Sequence, residues 1–117
     1  MFVILESSGY EKLDKNKKNI IDKGIKKLDS LINNFSNFKE YTVNNPVIHD
    51  SYGDFYVYKY ITKSFSVRIL YRYNTMLEIH KFHFKKGDRD NSKYIEIFEN
   101  YASEFRKEGK YGKRKKH

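Results

Sequence analysis

Basic side chains are interleaved with aromatic ones in the second half of the chain, and such residues could bind and cleave a phosphodiester. Arg68 and Arg72 lie in one run of branched and aromatic residues, and Lys85 and Lys86 close the next run. Guanidinium and ammonium groups could stabilise the charge of a pentavalent phosphorane. Tyr94 or a histidine could move protons. If these groups converge, they predict metal-independent cleavage of RNA, although solvation alone would also explain arginines on a sheet surface.

Two histidines, His80 and His83, have a spacing that would suit metal ligands on one face of a helix. In a strand, residues three apart point to opposite faces, so the spacing does not predict a metal site there. The chain has no cysteine, and no third histidine lies near the pair. We therefore expect no metal and no other cofactor. One of the two histidines could still act as a proton shuttle, because histidine titrates near neutrality.

Branched and aromatic runs in the second half predict three strands. These runs cover residues 55–61, 66–73 and 76–84. Polar residues between the runs predict hairpin turns at residues 62–64 and 74–75. Arg68 alternates with apolar neighbours, so we expect it to leave the apolar side of its strand and face solvent, with Arg72 on the same face.

The first half of the chain predicts one strand and a pair of helices. Residues 2–5 form a short apolar strand, and Ser7 or Ser8 could cap a short helix that begins near Tyr10. Residues 15–19 interrupt the apolar stripe and predict a turn. A longer helix follows, with apolar side chains at helical spacing at Ile21, Ile25, Leu28, Ile32 and Phe35. Residues 33–53 lose the periodicity and contain the only proline, which predicts a long surface loop.

The last part of the chain predicts a helix and a basic tail. Residues 87–91 would end the last strand, and Ser92 could cap the helix. Its apolar side would carry Tyr94, Ile95, Phe98, Tyr101, Ala102 and Phe105. The predicted fold is α+β: a small twisted antiparallel β-sheet with an N-terminal helical pair, a C-terminal helix, and helices packed on one face. Residues 1–108 would form this single domain, and residues 109–117 a basic C-terminal tail.

The net charge and the lack of cysteine indicate which partners and which cellular location suit the chain. The formal net charge is +9 in 117 residues, which favours a polyanion through counterion release. An acidic protein partner, or a role in solubility alone, would explain the same charge. Without cysteine there is no disulfide, thiolate metal site or cysteine nucleophile, and a cytoplasmic location suits the chain. No run has the length of a membrane span, and the first residues lack a signal-peptide pattern.

Three motifs in the second half resemble those of the RelE/ParE toxin superfamily, and most closely its HigB-like branch. Residues 66–71, Ser-Val-Arg-Ile-Leu-Tyr, are similar to the family's Tyr-Arg-Ile-hydrophobic-Tyr strand. Residues 79–86 resemble its apolar strand that ends in Phe and Lys-Lys. Residues 91–98 resemble the start of its last helix, where a proline or serine precedes Glu-Ile. The element order is similar over the whole chain, whereas the motifs cover about residues 53–105.

This resemblance implies a toxin of a type II toxin–antitoxin system, a ribosome-dependent endoribonuclease that cuts mRNA without metal. The ribose 2′-OH would attack the adjacent phosphate, and a cognate antitoxin, expected to be a helix-turn-helix protein, would suppress the activity. The residues carried over as catalytic are Arg68, Lys85, Lys86, Tyr94 and His83. The residues expected to bind RNA are Lys59, Lys63, Arg72, Lys81 and Arg89.

Two other functions fit the same sequence. The ParE branch shares the implied fold but poisons DNA gyrase, and the presence of Arg68, Lys85, Lys86 and Tyr94 favours the ribonuclease branch over it. The second alternative function is that of a basic module that binds structured RNA or an acidic protein and catalyses no reaction. The chain also departs from the family where Tyr58 and Lys59 stand in place of the usual Leu-Arg. The general base stays open, with His83 preferred to the terminal His117.

Overall fold

The computed structural model describes residues 1–44, 54–85 and 91–115. In chain order the elements are β1 (Phe2–Ile4), two 3₁₀ turns (Glu6–Ser8 and Tyr10–Lys12), α1 (Lys15–Asn33), α2 (Phe38–Asn44), β2 (Tyr56–Ile61), β3 (Ser66–Asn74), β4 (Met76–Lys85) and α3 (Asn91–Lys115). This arrangement is α+β, so the predicted fold class is confirmed. Lys86, Arg89, most of the predicted strand end at residues 87–91 and the side chain of Ser92 lie outside the described residues.

The sheet contains the three predicted strands as an antiparallel meander. Its order is β1-β4-β3-β2, and β1 adds a parallel pair with β4, which makes the sheet mixed. The predicted turn at residues 62–64 falls between β2 and β3, and of the predicted turn at 74–75 only Thr75 lies between strands, because β3 extends to Asn74. Thr75 takes a positive φ of 64°, which closes the tight connection from β3 to β4. These strands could be recognised because each carries enough branched and aromatic residues to cover its faces.

One face of the sheet is covered by α1. Its apolar residues pack on alternate residues of β3 and β4, and the buried set comprises Ile21, Ile25, Leu28, Ile32, Val67, Ile69, Tyr71, Leu77 and Ile79. The Asp14 side chain accepts a hydrogen bond from the backbone N–H of Lys17 and caps the helix. The predicted turn at residues 15–19 is therefore wrong, because the cap allows these polar residues to form the first turns of α1. The short helix predicted near Tyr10 is replaced by the two 3₁₀ turns, with Gly9 at a φ of 81° between them.

The predicted loop at residues 33–53 is wrong in its first part, where α2 forms. Tyr41 is buried, and Phe38 stacks on Tyr73 of β3 with ring centres 4.8 Å apart. The Asn37 side chain accepts a hydrogen bond from the backbone N–H of Glu40 at the start of α2. Contacts with residues far along the chain thus stabilise a helix that is too short to show its own periodicity. Residues 45–53 lie outside the described residues.

The second face of the sheet is covered by α3. Tyr94, Phe98 and Ala102 of α3 pack on Phe55, Val57 and Leu70. The prediction that the helices pack on one face is therefore wrong, because Val57 and Leu70 give the second face an apolar strip of its own. The backbone of α3 continues to Lys115, so helix extends into the predicted tail at residues 109–117. Within the described residues, no helix is long and apolar enough to cross a membrane.

Candidate functional site

Arg68 lies in the middle of β3, beneath the start of α3. Its side chain is only 6% exposed, so the prediction that it faces solvent is wrong. The guanidinium donates a hydrogen bond to Ser66 Oγ at 2.9 Å, and its central carbon lies 5.1 Å from the centre of the Tyr94 ring. Alternation did place Arg68 on the correct face, but the apolar side of α3 covers that face. Arg68 is thus held in a fixed orientation by one hydrogen bond and one aromatic ring.

His83 and Tyr94 complete a cluster around Arg68. His83 is the cross-strand partner of Arg68 in the β3–β4 ladder. The rings of His83 and Tyr94 have their centres 6.3 Å apart. Directly paired residues of an antiparallel ladder share a face, so the imidazole and the guanidinium lie on the α3 side of the sheet. Three of the predicted catalytic residues are therefore brought together.

Three predicted basic residues line one open cavity of about 370 Å³ at the end of the β2–β3 hairpin. We call it the lysine cleft, and it is lined by Lys59, Ile61, Thr62, Lys63, Ser64, Phe65, Ser66 and Lys85. Lys59 pairs directly with Arg68, and Lys85 pairs with Ser66. Like charges directly opposite each other destabilise a sheet, so the pairing of Lys59 with Arg68 favours an anion between or beside them. No acidic residue belongs to the lining within the described parts of the chain.

Ser66 connects the lysine cleft to the cluster of Arg68, His83 and Tyr94. It lines the cleft, and its hydroxyl accepts the hydrogen bond from Arg68. An anion in the cleft would therefore lie one hydroxyl group away from the guanidinium. This geometry could bind phosphate groups with the lysines and present one of them to a preorganised cation.

Arg72 and Lys81 lie elsewhere, under the middle of α3. Arg72 forms an ion pair with Asp54 at 2.8 Å and lies 4.0 Å from a Glu78 oxygen. Its guanidinium is between the rings of Phe55 and Phe105, at 5.5 and 5.3 Å from their centres. The Lys81 ammonium lies 5.6 Å from the centre of the Tyr101 ring. The RNA-binding role predicted for Arg72 is not favoured, because acidic side chains already compensate its charge.

A buried polar network that was not predicted from the sequence surrounds His80. His80 is fully buried, with Nε2 at 3.1 Å from a Glu78 oxygen and Nδ1 at 3.0 Å from the Tyr101 hydroxyl. That hydroxyl also lies 2.8 Å from Ser7 Oγ. Burial lowers the pKa of His80, although the hydrogen bond with Glu78 opposes this effect. The network connects β4 to α3 and to the first 3₁₀ turn, which gives it a structural role.

His80 and His83 both contact α3, contrary to the predicted opposite faces. His80 packs on Tyr101 and Phe105, while His83 packs on Tyr94. The cause is a shift in the β3–β4 register, in which Leu70 pairs with Lys81 but Tyr71 pairs with Ile79. His80 is the extra residue of this β-bulge, and a bulge reverses the alternation beyond it. The described residues still contain no group of three or more His, Asp or Glu side chains arranged to hold a metal ion.

Searches with protein-family models, curated proteins and solved structures found no match for this chain. The resemblance to the RelE/ParE superfamily therefore stays a prediction, based on the three motifs. The candidate site depends on the contacts of Arg68, His83 and Tyr94 and on the lysine cleft beside them.

Proposed function

We propose that this chain is a metal-independent endoribonuclease of the RelE/HigB toxin type, which cuts mRNA on the ribosome and is suppressed by an antitoxin. The observation that supports the proposal most directly is the connection through Ser66 between the lysine cleft and Arg68. Lysines suit the phosphate backbone, and an oriented guanidinium suits the charge that develops when a phosphate is attacked. The net charge of +9 favours an RNA substrate and an acidic antitoxin.

In the proposed reaction, Lys59, Lys63 and Lys85 bind consecutive phosphates of a single strand. The ribose 2′-oxygen attacks the neighbouring phosphorus as a base takes its proton. The bond from phosphorus to the 5′-oxygen then breaks, and an acid gives that oxygen a proton. Arg68 stabilises the pentavalent phosphorane through its cation, and His83 and Tyr94 are the candidates for base and acid. The products are a 2′,3′-cyclic phosphate and a free 5′-hydroxyl, and a cytoplasmic location follows from the ribosomal substrate.

The burial of Arg68 favours a second candidate function, an RNA-binding module without chemistry. With 6% of its surface exposed and Tyr94 against it, Arg68 has little area for direct contact with a phosphate. In that case the lysine cleft would bind RNA and Arg68 would orient Ser66. The two candidates differ in products rather than in affinity, because both use the same lysines.

The test combines induced expression with a purified reaction. Transcript 5′ ends are mapped after induction, and programmed ribosomes are incubated with the protein in the presence of a chelator. We expect cleavage with 2′,3′-cyclic phosphate ends, at least about tenfold slower for the double variant Lys59→Ala, Lys85→Ala. The charge-matched control Lys26→Ala, Lys27→Ala removes two exposed lysines of α1 outside the cleft and should cleave normally.

Each alternative predicts a distinct result in the same experiment. Binding of RNA without cleavage would identify the non-catalytic module. Changed DNA supercoiling with intact transcripts would identify a gyrase poison of the ParE type. Equal loss of cleavage in the α1 control would show that overall charge, and not the lysine cleft, supports the activity.

A further inference from the structure

A second groove lies on the other side of the β2–β3 hairpin, between the hairpin and α1. Its volume is about 420 Å³, and we call it the hairpin groove. Asn16, Asn19 and Lys23 line it from α1, and Tyr60 and Phe65 line it from the hairpin. The groove shares Thr62, Ser64 and Phe65 with the lysine cleft. A single strand that passes over the end of the hairpin could therefore occupy both.

The two aromatic walls of the hairpin groove are held in place by other residues. The Phe65 ring packs edge to face on Phe84 of β4, with ring centres 6.2 Å apart. Tyr60 lies so close to α1 that a Cβ at position 24 would be only 3.0 Å from its ring, and Gly24 provides the space. Fixed aromatic rings beside a cation-lined cleft are the usual means of binding unstacked bases, since every base can stack on a ring.

The polar residues of the groove add the groups that recognise a base edge. Asn16 and Asn19 are exposed on the first turns of α1 and line the groove, where their amides can reach a bound molecule. An amide offers a donor and an acceptor side by side, which matches the pattern on a base edge. Lys23 adds a positive charge that suits the adjoining phosphate. An acidic peptide is recognised chiefly by cations, and Lys23 is the single cation among the described residues that line the groove.

We propose that the hairpin groove binds the base of a nucleotide that neighbours the phosphate in the lysine cleft. The inference rests on the proposed RNA substrate, and it assigns a base-binding role to Phe65, Asn16 and Asn19. The groove would thus determine which sequences bind best, whereas the lysines would bind every sequence alike.

The test measures affinity for short single strands with 2′-fluoro sugars, which cannot undergo the 2′-oxygen attack. One strand is intact, and its partner lacks the base at one central position. The wild-type protein should bind the intact strand about 5- to 150-fold more tightly, as expected for the stacking of one base. Phe65→Ala should remove most of that difference, so that the ratio of the two affinities falls towards one.

Two further variants separate base binding from phosphate binding and from folding. The double variant Asn16→Ala, Asn19→Ala changes only exposed side chains, so it should stay folded and reduce the preference among the four bases at that position. Lys59→Ala should weaken the intact and abasic strands by the same factor. Equal affinity of the wild-type protein for both strands would overturn the hairpin-groove inference and leave the proposed function standing. Failure to bind either strand, both free and in programmed ribosomes, would overturn both.

Discussion

The contact between Arg68 and Tyr94 shows how firmly α3 holds the predicted catalytic arginine, and it can be measured. The two side chains are 6% and 9% exposed, and the guanidinium carbon lies 5.1 Å from the ring centre. A double-mutant cycle with Arg68→Met and Tyr94→Leu removes each partner in turn while keeping an apolar side chain in its place. The cycle yields the coupling energy of the pair, free of effects that each substitution has alone.

The expected coupling follows from the burial of both partners. A cation over an aromatic ring contributes about 0.5–1 kcal/mol at an exposed site and about 2 kcal/mol when desolvated. Since both side chains are more than nine-tenths covered, we expect a coupling of about 1–2 kcal/mol. Arg68→Met also loses the hydrogen bond to Ser66, which contributes about 1.5–3 kcal/mol because the donor is charged. That loss is common to both variants that carry Arg68→Met, so it cancels in the cycle.

Urea unfolding, followed by circular dichroism, gives the free energy of unfolding of the four proteins. A coupling below about 0.3 kcal/mol, with unchanged denaturant slopes, would refute the reasoning, because that value is within the usual additivity of distant sites. The same data are needed for any activity assay of Arg68→Ala. A solvent-facing arginine could be truncated at little cost in stability, but Arg68 is buried, so its truncation is expected to lower the free energy of unfolding.

Two further predictions concern a buried histidine and a glycine of α1. Burial lowers the pKa of His80 below the value of about 6.5 that histidine has in an unfolded chain. As the pH falls through that value, the unfolded chain binds a proton that the folded protein does not bind. The free energy of unfolding therefore decreases as the pH falls. The free energy of unfolding of His80→Gln should therefore vary less between about pH 7.5 and 5 than that of the wild type; equal slopes would contradict the burial argument. Gly24→Ala should lower the stability in urea by about 1 kcal/mol, because the Cβ would lie 3.0 Å from the Tyr60 ring and overpacking outweighs the helix-propensity gain. A gain in stability would show that Tyr60 moves aside at little cost.

The parts of the fold that could be predicted are those in which apolar residues repeat with the period of the helix or strand that they form. The strands of the meander and the apolar stripe of α1 belong to this class, since each is long enough for its pattern to be recognised. The short helix α2 does not, because Phe38 and Tyr41 are placed by contacts with Tyr71 and Tyr73 about thirty residues away. The first turns of α1 were missed because Asp14 stabilises them through a cap, which adds nothing to the apolar pattern.

The surroundings of the site were harder to predict than its members. Alternation correctly grouped Arg68 with Arg72 on one face of β3, and convergence correctly predicted that Tyr94 would lie near Arg68. Solvent exposure of that face was inferred from the alternation of Arg68 with Val67 and Ile69, which were expected to form the apolar face. Leu70 lies between the two arginines on the same face, and its need for cover brings the apolar side of α3 over all three. A charged strand face with one central apolar residue can therefore be buried, with Arg72 paired to acidic side chains and Arg68 held by a hydroxyl group and an aromatic ring.

The clearest lesson concerns β4, where the sequence did contain the missing information. Leu77 and Ile79 lie at odd positions and face α1, whereas Phe82 and Phe84 lie at even positions and pack on the same side. An unbroken strand cannot place both pairs on one face. The change from odd to even positions therefore requires one extra residue, a β-bulge, between positions 79 and 82. The register places that residue at His80. Two histidines three residues apart then share a face because of the bulge, which puts His80 in the buried network and His83 beside Arg68.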